Sequence, residues 1–162
     1  MKAILAATFL AITGAMAQAG DLGITFAKFE DGFHKVGVRM ALNEKFVKQS
    51  CDSNPSTKRT ICTHKLGDFM IVMTSTKGDD PITEITMICA TEDIRAAAKC
   101  MVAMSAAIAA TSPERDLKER AAIIKTLLAG LDVGDSTTIQ SEDRKFVLQK
   151  SMGLWFHIVA DQ

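Results

Sequence analysis

The sequence predicts an α+β domain: an antiparallel sheet of about seven strands with three helices packed on one face, in the order α-β-β-β-β-α-α-β-β-β, preceded by a cleavable signal peptide. Three observations carry this. Large apolar residues recur at spacings of three and four in three segments, the mark of helices buried on one side. Elsewhere apolar and polar residues alternate in short runs, as half-buried strands require. Between the alternating runs stand Asn54-Pro55, Gly67-Asp68 and Gly78-Asp79-Asp80-Pro81. This is turn chemistry on short connections, which favours antiparallel neighbours.

The first helix carries Phe26, Phe29, Phe33, Val36 and Met40 on one face, with Thr25 as its N-cap. Such a stripe supplies the bulky side chains of a core. Four strands follow, at Lys45–Cys51, Lys58–Leu66, Asp68–Thr76 and Ile82–Ala90. In the second, Thr60, Cys62, His64 and Leu66 share a face. The period then changes. Thr91 caps a helix opening with Glu92 and Asp93, whose acids suit the positive end of the helix dipole, and Ile94, Ala97, Ala98, Met101, Met104 and Ile108 form its apolar face. Ser112-Pro113 is expected to start the third helix, with Ser as cap and Pro at the first helical position. Glu114 with Lys118 and Asp116 with Arg120 would pair on its wet side. Leu117, Ala121, Ile124, Leu127 and Leu128 would supply its buried side, and Gly130 its stop. Three strands close the chain, at Asp135–Ser141, Arg144–Ser151 and Leu154–Ala160, with Gly153 at the last turn. In its layers alone this resembles α+β folds of the TATA-binding-protein or cystatin-like kind, a likeness that implies no function.

Residues 1–19 read as the signal peptide and residues 20–162 as one α+β domain. Lys2 precedes an uncharged apolar run from Ala3 to Gly14, and small-x-small sites follow at Ala15-Met16-Ala17 and Ala17-Gln18-Ala19. The stretch from Ala96 to Ala110, mostly alanine and interrupted by Lys99, is expected to be too short and too weakly apolar to span a bilayer. The domain is therefore expected in the periplasm or outside the cell, with no membrane span in the mature chain. There its four cysteines, Cys51, Cys62, Cys89 and Cys100, are expected to be oxidised. Four cysteines allow three pairings. Cys51 with Cys62 across the first hairpin, and Cys89 with Cys100 between a strand and the next helix, is the favoured one.

Composition excludes several functions. Lys plus Arg number 19 and Asp plus Glu 19, so electrostatically driven nucleic-acid binding is not expected. Hydrophobic residues at 48% and charged residues at 23% argue for a packed core rather than disorder. One Trp and no Tyr speak against a sugar-binding platform. No H-E-x-x-H, C-x-x-C, G-x-S-x-G or phosphate-cradling glycine loop occurs, so no catalytic residue, metal or cofactor is assigned. Asp79, Asp80 and Glu84 read as solvated turn acids.

Two chemical alternatives remain legible. A hydrolase would need His157 or His64 beside an acid. A copper-handling protein would draw on Cys62 with His64, on Met101 and Met104 beside Cys100, or on Met70 and Met73, since thioether, thiolate and imidazole suit copper(I). The charges fall in short blocks, basic at Lys45, Lys48, Lys58, Arg59 and Lys65 and acidic from Asp68 to Asp93, as a mixed solvated surface shows. Trp155, His157 and Val159 alternate off the Leu154/Phe156/Ile158 face. They form the expected binding surface, on the sheet face away from the helices. The sequence thus reads as a small, exported, disulfide-stapled, non-enzymatic protein of binding or inhibitor type, with a protein or small-ligand partner.

Overall fold

A computed structural model describes residues 20–77, 81–90 and 94–161. The expected signal peptide, the Gly78–Asp80 turn and the Thr91–Asp93 cap lie outside the described residues. Ten elements follow the predicted order: α1 Phe26–Arg39, β1 Phe46–Asn54, β2 Arg59–Leu66, β3 Met70–Lys77, β4 Ile82–Cys89, α2 Ile94–Thr111, α3 Leu117–Leu131, β5 Ser136–Ser141, β6 Arg144–Lys150 and β7 Leu154–Ala160. The strands form one seven-stranded antiparallel sheet in the order β1-β2-β3-β4-β7-β6-β5. Two meanders thus meet where the last strand of each pairs, Ile85 opposite Ile158 and Met87 opposite Phe156.

One sheet face carries the core. Leu66, Val72, Ile85, Met87, Phe146, Leu148, Phe156 and Ile158 are buried there beneath Phe29 and Phe33 of α1 and Met104 and Ile108 of α2. Each helix has a contact on this face: Phe26 of α1 stacks on His64, Cys100 of α2 bonds to Cys89, and Gly130 of α3 meets Thr137. Thr25 caps α1 as expected, accepting from the Lys28 amide.

The turns explain where strand ends moved. β1 runs past Cys51 to Asn54, because the Asn54 side-chain oxygen accepts from the Ser56 and Thr57 amides and closes a tighter turn. Gly67 sits at φ 56° in the β2–β3 turn, so β3 begins at Met70. Gly153, at φ 129°, turns β6 into β7 with a Cβ position only 2.4 Å from the Cys89 carbonyl oxygen.

Helices α2 and α3 correct the sequence in several places. In α2 the buried residues are Cys100, Ala103, Met104, Ser105, Ala106, Ala107, Ile108, Ala109 and Thr111, whereas Ile94 is 85% exposed and Met101 and Ala98 face solvent. A helix apolar on nearly every side has no stripe to fix its rotation, and the small residues turn inward where backbones approach closely. At 18 residues and mean hydropathy 1.3, α2 also has the length and composition of a bilayer-crossing helix, contrary to the expectation from residues 96–110; half of it is buried inside this domain. α3 does not start at Ser112-Pro113. Ser112 donates to Ile108 at the end of α2 and accepts from the Arg115 amide. The cap is Asp116, in a reciprocal capping box with Glu119. Asp116 is therefore engaged with the Glu119 amide, and Arg120 reaches its backbone carbonyl at 3.1 Å. Glu114 lies before the helix, so neither expected i,i+4 pair forms its wet side. Ile123, Ile124 and Leu127 are the buried residues of α3, while Leu117 and Ala121 are exposed. The helix passes through Gly130 to Leu131.

Both favoured disulfides are present, Cys51–Cys62 at a Cα separation of 4.0 Å and Cys89–Cys100 at 6.0 Å. They make this a small disulfide-stabilised protein and suit an oxidising, extracytoplasmic compartment.

Candidate functional site on the open sheet face

The face opposite the core follows from the register. Ile71 pairs with Ile88, and Ile88 with Trp155, giving an apolar band across β3, β4 and β7. The next row is Met73, Thr86, His157 and Val147; the third is Ser75, Glu84, Val159 and Lys145. Trp155, His157 and Val159 therefore share this face and are half-buried, as the alternation of β7 predicts. Ile71, Ile61 and Val47 are exposed on the same side. A shallow cleft of about 360 Å³ lies along the band, lined by Thr63, Lys65, Ile71, Ile88 and Met152.

A polar cluster sits within these apolar side chains. His157 Nδ1 lies 3.0 Å from Thr86 Oγ1 and 3.3 Å from Glu84 Oε1, and Thr86 Oγ1 is 3.2 Å from the same carboxylate oxygen. Arg59 closes the other side, donating to Glu84 Oε2 at 3.1 Å and to Ser75 Oγ. An ionised carboxylate only accepts. The Thr86 hydroxyl therefore gives its one proton to Glu84, and His157 Nδ1 carries the proton that faces the two oxygens. His157 Nε2 is buried without a hydrogen-bond partner. Glu84 is held below the usual carboxylate range, chiefly by the His157 hydrogen bond, with help from Thr86, His157 charge and Arg59 against the opposing effect of burial. The ring of Trp155 stacks beside His157, centroids 6.4 Å apart, and its Nε1 donates to the Ser151 carbonyl at 2.8 Å.

Glu84 is thus no turn acid. It lies two residues inside β4, where the alternation Glu84, Thr86, Ile88 already places it on the face away from the core. What no local pattern reveals is its partner, because His157 lies 73 positions later.

The other candidate sets are not brought together as ligands. Cys62 and Cys100 are disulfide-bonded. Met104 is buried while Met101 is exposed, and Met70 and Met73 point to opposite faces of β3. No group of three or more His, Cys, Asp or Glu suited to a metal occurs among the described residues. His64 is only 4% exposed, stacked on Phe26 at 4.1 Å and 13° between planes, with Nδ1 unpartnered. Burial, then the charge of Lys48, lowers its pKa against a raising hydrogen bond to the Val72 backbone. His34 is exposed on α1.

The fold and site define a class no narrower than a disulfide-stabilised α+β domain with one open sheet face. Compared with protein-family models, curated proteins and solved structures, the chain matches none.

Proposed function

We propose that this chain is an exported, periplasmic or secreted, non-enzymatic protein of binding or inhibitor type. It engages a protein or small ligand through the open face around Trp155, His157 and Val159. The observation that carries this is a sheet face that no described helix covers, where the Ile71–Ile88–Trp155 band meets the Glu84–Thr86–His157 cluster. A half-exposed Trp beside a fixed polar cluster offers both an apolar anchor and orientation. In this reading the first 19 residues are the removed export signal, and α2 serves as a core helix.

The test is a pull-down from periplasmic extract with wild type and Trp155→Ala as baits. A partner retained by wild type and lost by the variant is the expected result; equal recovery of every protein would remove this surface from consideration.

A second reading, an exported hydrolase, is favoured by one observation: Glu84 and Thr86 orient His157 through Nδ1, as a general base is oriented. Against it, Nε2 is buried rather than presented to a substrate. Turnover of small ester substrates that disappears in His157→Ala, with the fold intact by circular dichroism, would decide for the enzyme.

A further inference from the structure

We propose that Cys51–Cys62 is an exchangeable disulfide that reacts with external thiols, while Cys89–Cys100 is a fixed structural bond. The two bonds differ in access. Cys51 is exposed and Cys62 half-buried, whereas Cys89 and Cys100 are 1% and 0% exposed. They differ also in what they hold. Cys89–Cys100 ties the core helix α2 to the central strand β4. Cys51–Cys62 joins directly opposed residues of a hairpin already paired from Phe46 opposite Leu66 to Asn54 opposite Arg59. β1 is the edge of the sheet, and every residue of it after Phe46 is exposed. Opening that bond leaves the core covered.

The surroundings bear on reactivity. Cys51 and Cys62 line a cavity of about 300 Å³ between α1 and the hairpin, with Phe26 and Phe46 as apolar walls and Glu30, Lys48 and His64 as its ionisable groups. Lys48 lies opposite His64 in the register, two residues along β2 from Cys62, with the Ser50–Thr63 pair and a β1 bulge between. Burial, then Lys48, disfavours the charged form of His64, so the positive charge at the cavity is that of Lys48, and Glu30 of α1 opposes it. A cation beside a sulfur stabilises its thiolate, and a better-stabilised thiolate leaves faster.

The exchange balances without any further reagent. An external thiolate attacks Sγ of Cys51, the more exposed residue of the pair, and forms a mixed disulfide. The Sγ–Sγ bond breaks, and its electron pair leaves on Cys62 as a thiolate beside Lys48. A second external thiolate then attacks the external sulfur of the mixed disulfide and frees Cys51. Two external thiols become one disulfide, the protein gains two electrons, and the two protons released by the external thiols pass to Cys51 and Cys62 or to water. The substrates are thus thiols or dithiols able to reach an exposed sheet edge.

The experiment treats the folded protein with reduced glutathione at neutral pH, quenches with an alkylating agent, and maps the modified cysteines by mass spectrometry over time. Cys51 and Cys62 are expected to become alkylated at least about 10-fold faster than Cys89 and Cys100, with the far-ultraviolet circular dichroism unchanged. Lys48→Gln should slow the exchange about 3- to 10-fold and Glu30→Gln should accelerate it, while Lys45→Gln, outside the cavity, leaves it alone. The Cys51→Ser/Cys62→Ser variant should stay folded. Equal reduction of both bonds, unfolding on loss of Cys51–Cys62, or charge variants that fail to move the rate in opposite directions would each overturn the proposal.

Discussion

Glu84 Oε1 lies 3.3 Å from His157 Nδ1, so that a carboxylate of the first meander and an imidazole of the second meet at the β4–β7 seam joining the two halves of the sheet. Arg59 and Thr86 complete the coordination of the carboxylate. The seam is therefore held by main-chain pairing, by the core side chains beneath it and by one charged network above it.

The network predicts a pH dependence of stability. The pKa of Glu84 is depressed in the fold, so the unfolded chain binds a proton first as pH falls. The contribution is complete above the unfolded value, near about 4.3, and is lost as pH falls through the folded value. Glu84→Gln should cost about 1.5–3 kcal/mol at pH 7, the range of a hydrogen bond to a charged group, with the deficit shrinking at pH 3. Urea unfolding of both proteins at the two pH values measures this. An equal deficit at both would mean that the ionised carboxylate is not what stabilises the seam.

His64 predicts a second slope of the same sign. Its pKa is lowered, so above about 6.5 both states are neutral, and below that the unfolded chain takes up the proton before the folded one. Stability falls from that point downward toward the folded value. His64→Phe keeps a flat ring against Phe26 and leaves no unpartnered Nδ1. The fall in Tm between pH 7.5 and pH 5.5 should be smaller in this variant. If both proteins lose the same number of degrees, His64 is not the titrating group.

The elements were legible because each is announced by a local change of period, and the hairpin and strand-to-helix spacings of the cysteines announced their pairing. The face bearing Trp155, His157 and Val159 followed from alternation in β7 alone. The failures were of another kind. The rotation of α2 depends on which surface its alanines meet, and the start of α3 on whether Ser112 or Asp116 is free to cap. The partners of His157 depend on β4 pairing with β7, a contact across most of the domain. Such features are set by tertiary packing, and no window of neighbouring residues contains them.

Arg144 is one of these features. Its side chain is 11% exposed, and the guanidinium donates to the Thr111 carbonyl at 2.6 Å and 3.1 Å and to the Leu22 carbonyl at 3.3 Å, pinning the end of α2 and the segment before α1 to β6. Arg144→Met should cost about 2–4 kcal/mol by stranding these acceptors. Arg144→Lys should recover less than half, because an ammonium cannot reproduce the planar fork. A lysine variant as stable as wild type in denaturant would show that charge alone suffices there.

Gly130 gives a prediction whose sign opposes helix propensity. It lies within α3 rather than at its end, and an added Cβ would stand 2.2 Å from Thr137 Oγ1 and 2.6 Å from Thr137 Cβ. In a solvated helix, Gly→Ala gains up to about 1 kcal/mol. Here the obstacle is a β-branched side chain fixed on β5, whose Cβ cannot swing aside without its backbone. Gly130→Ala should therefore destabilise, by about 1–3 kcal/mol as overpacking does. Thr137→Gly in the same chain removes both crowding atoms and should return part of the loss, beyond what the two single variants predict by addition. Additive behaviour in a double-mutant cycle, or a stabilised Gly130→Ala, would place α3 farther from β5 than this contact requires.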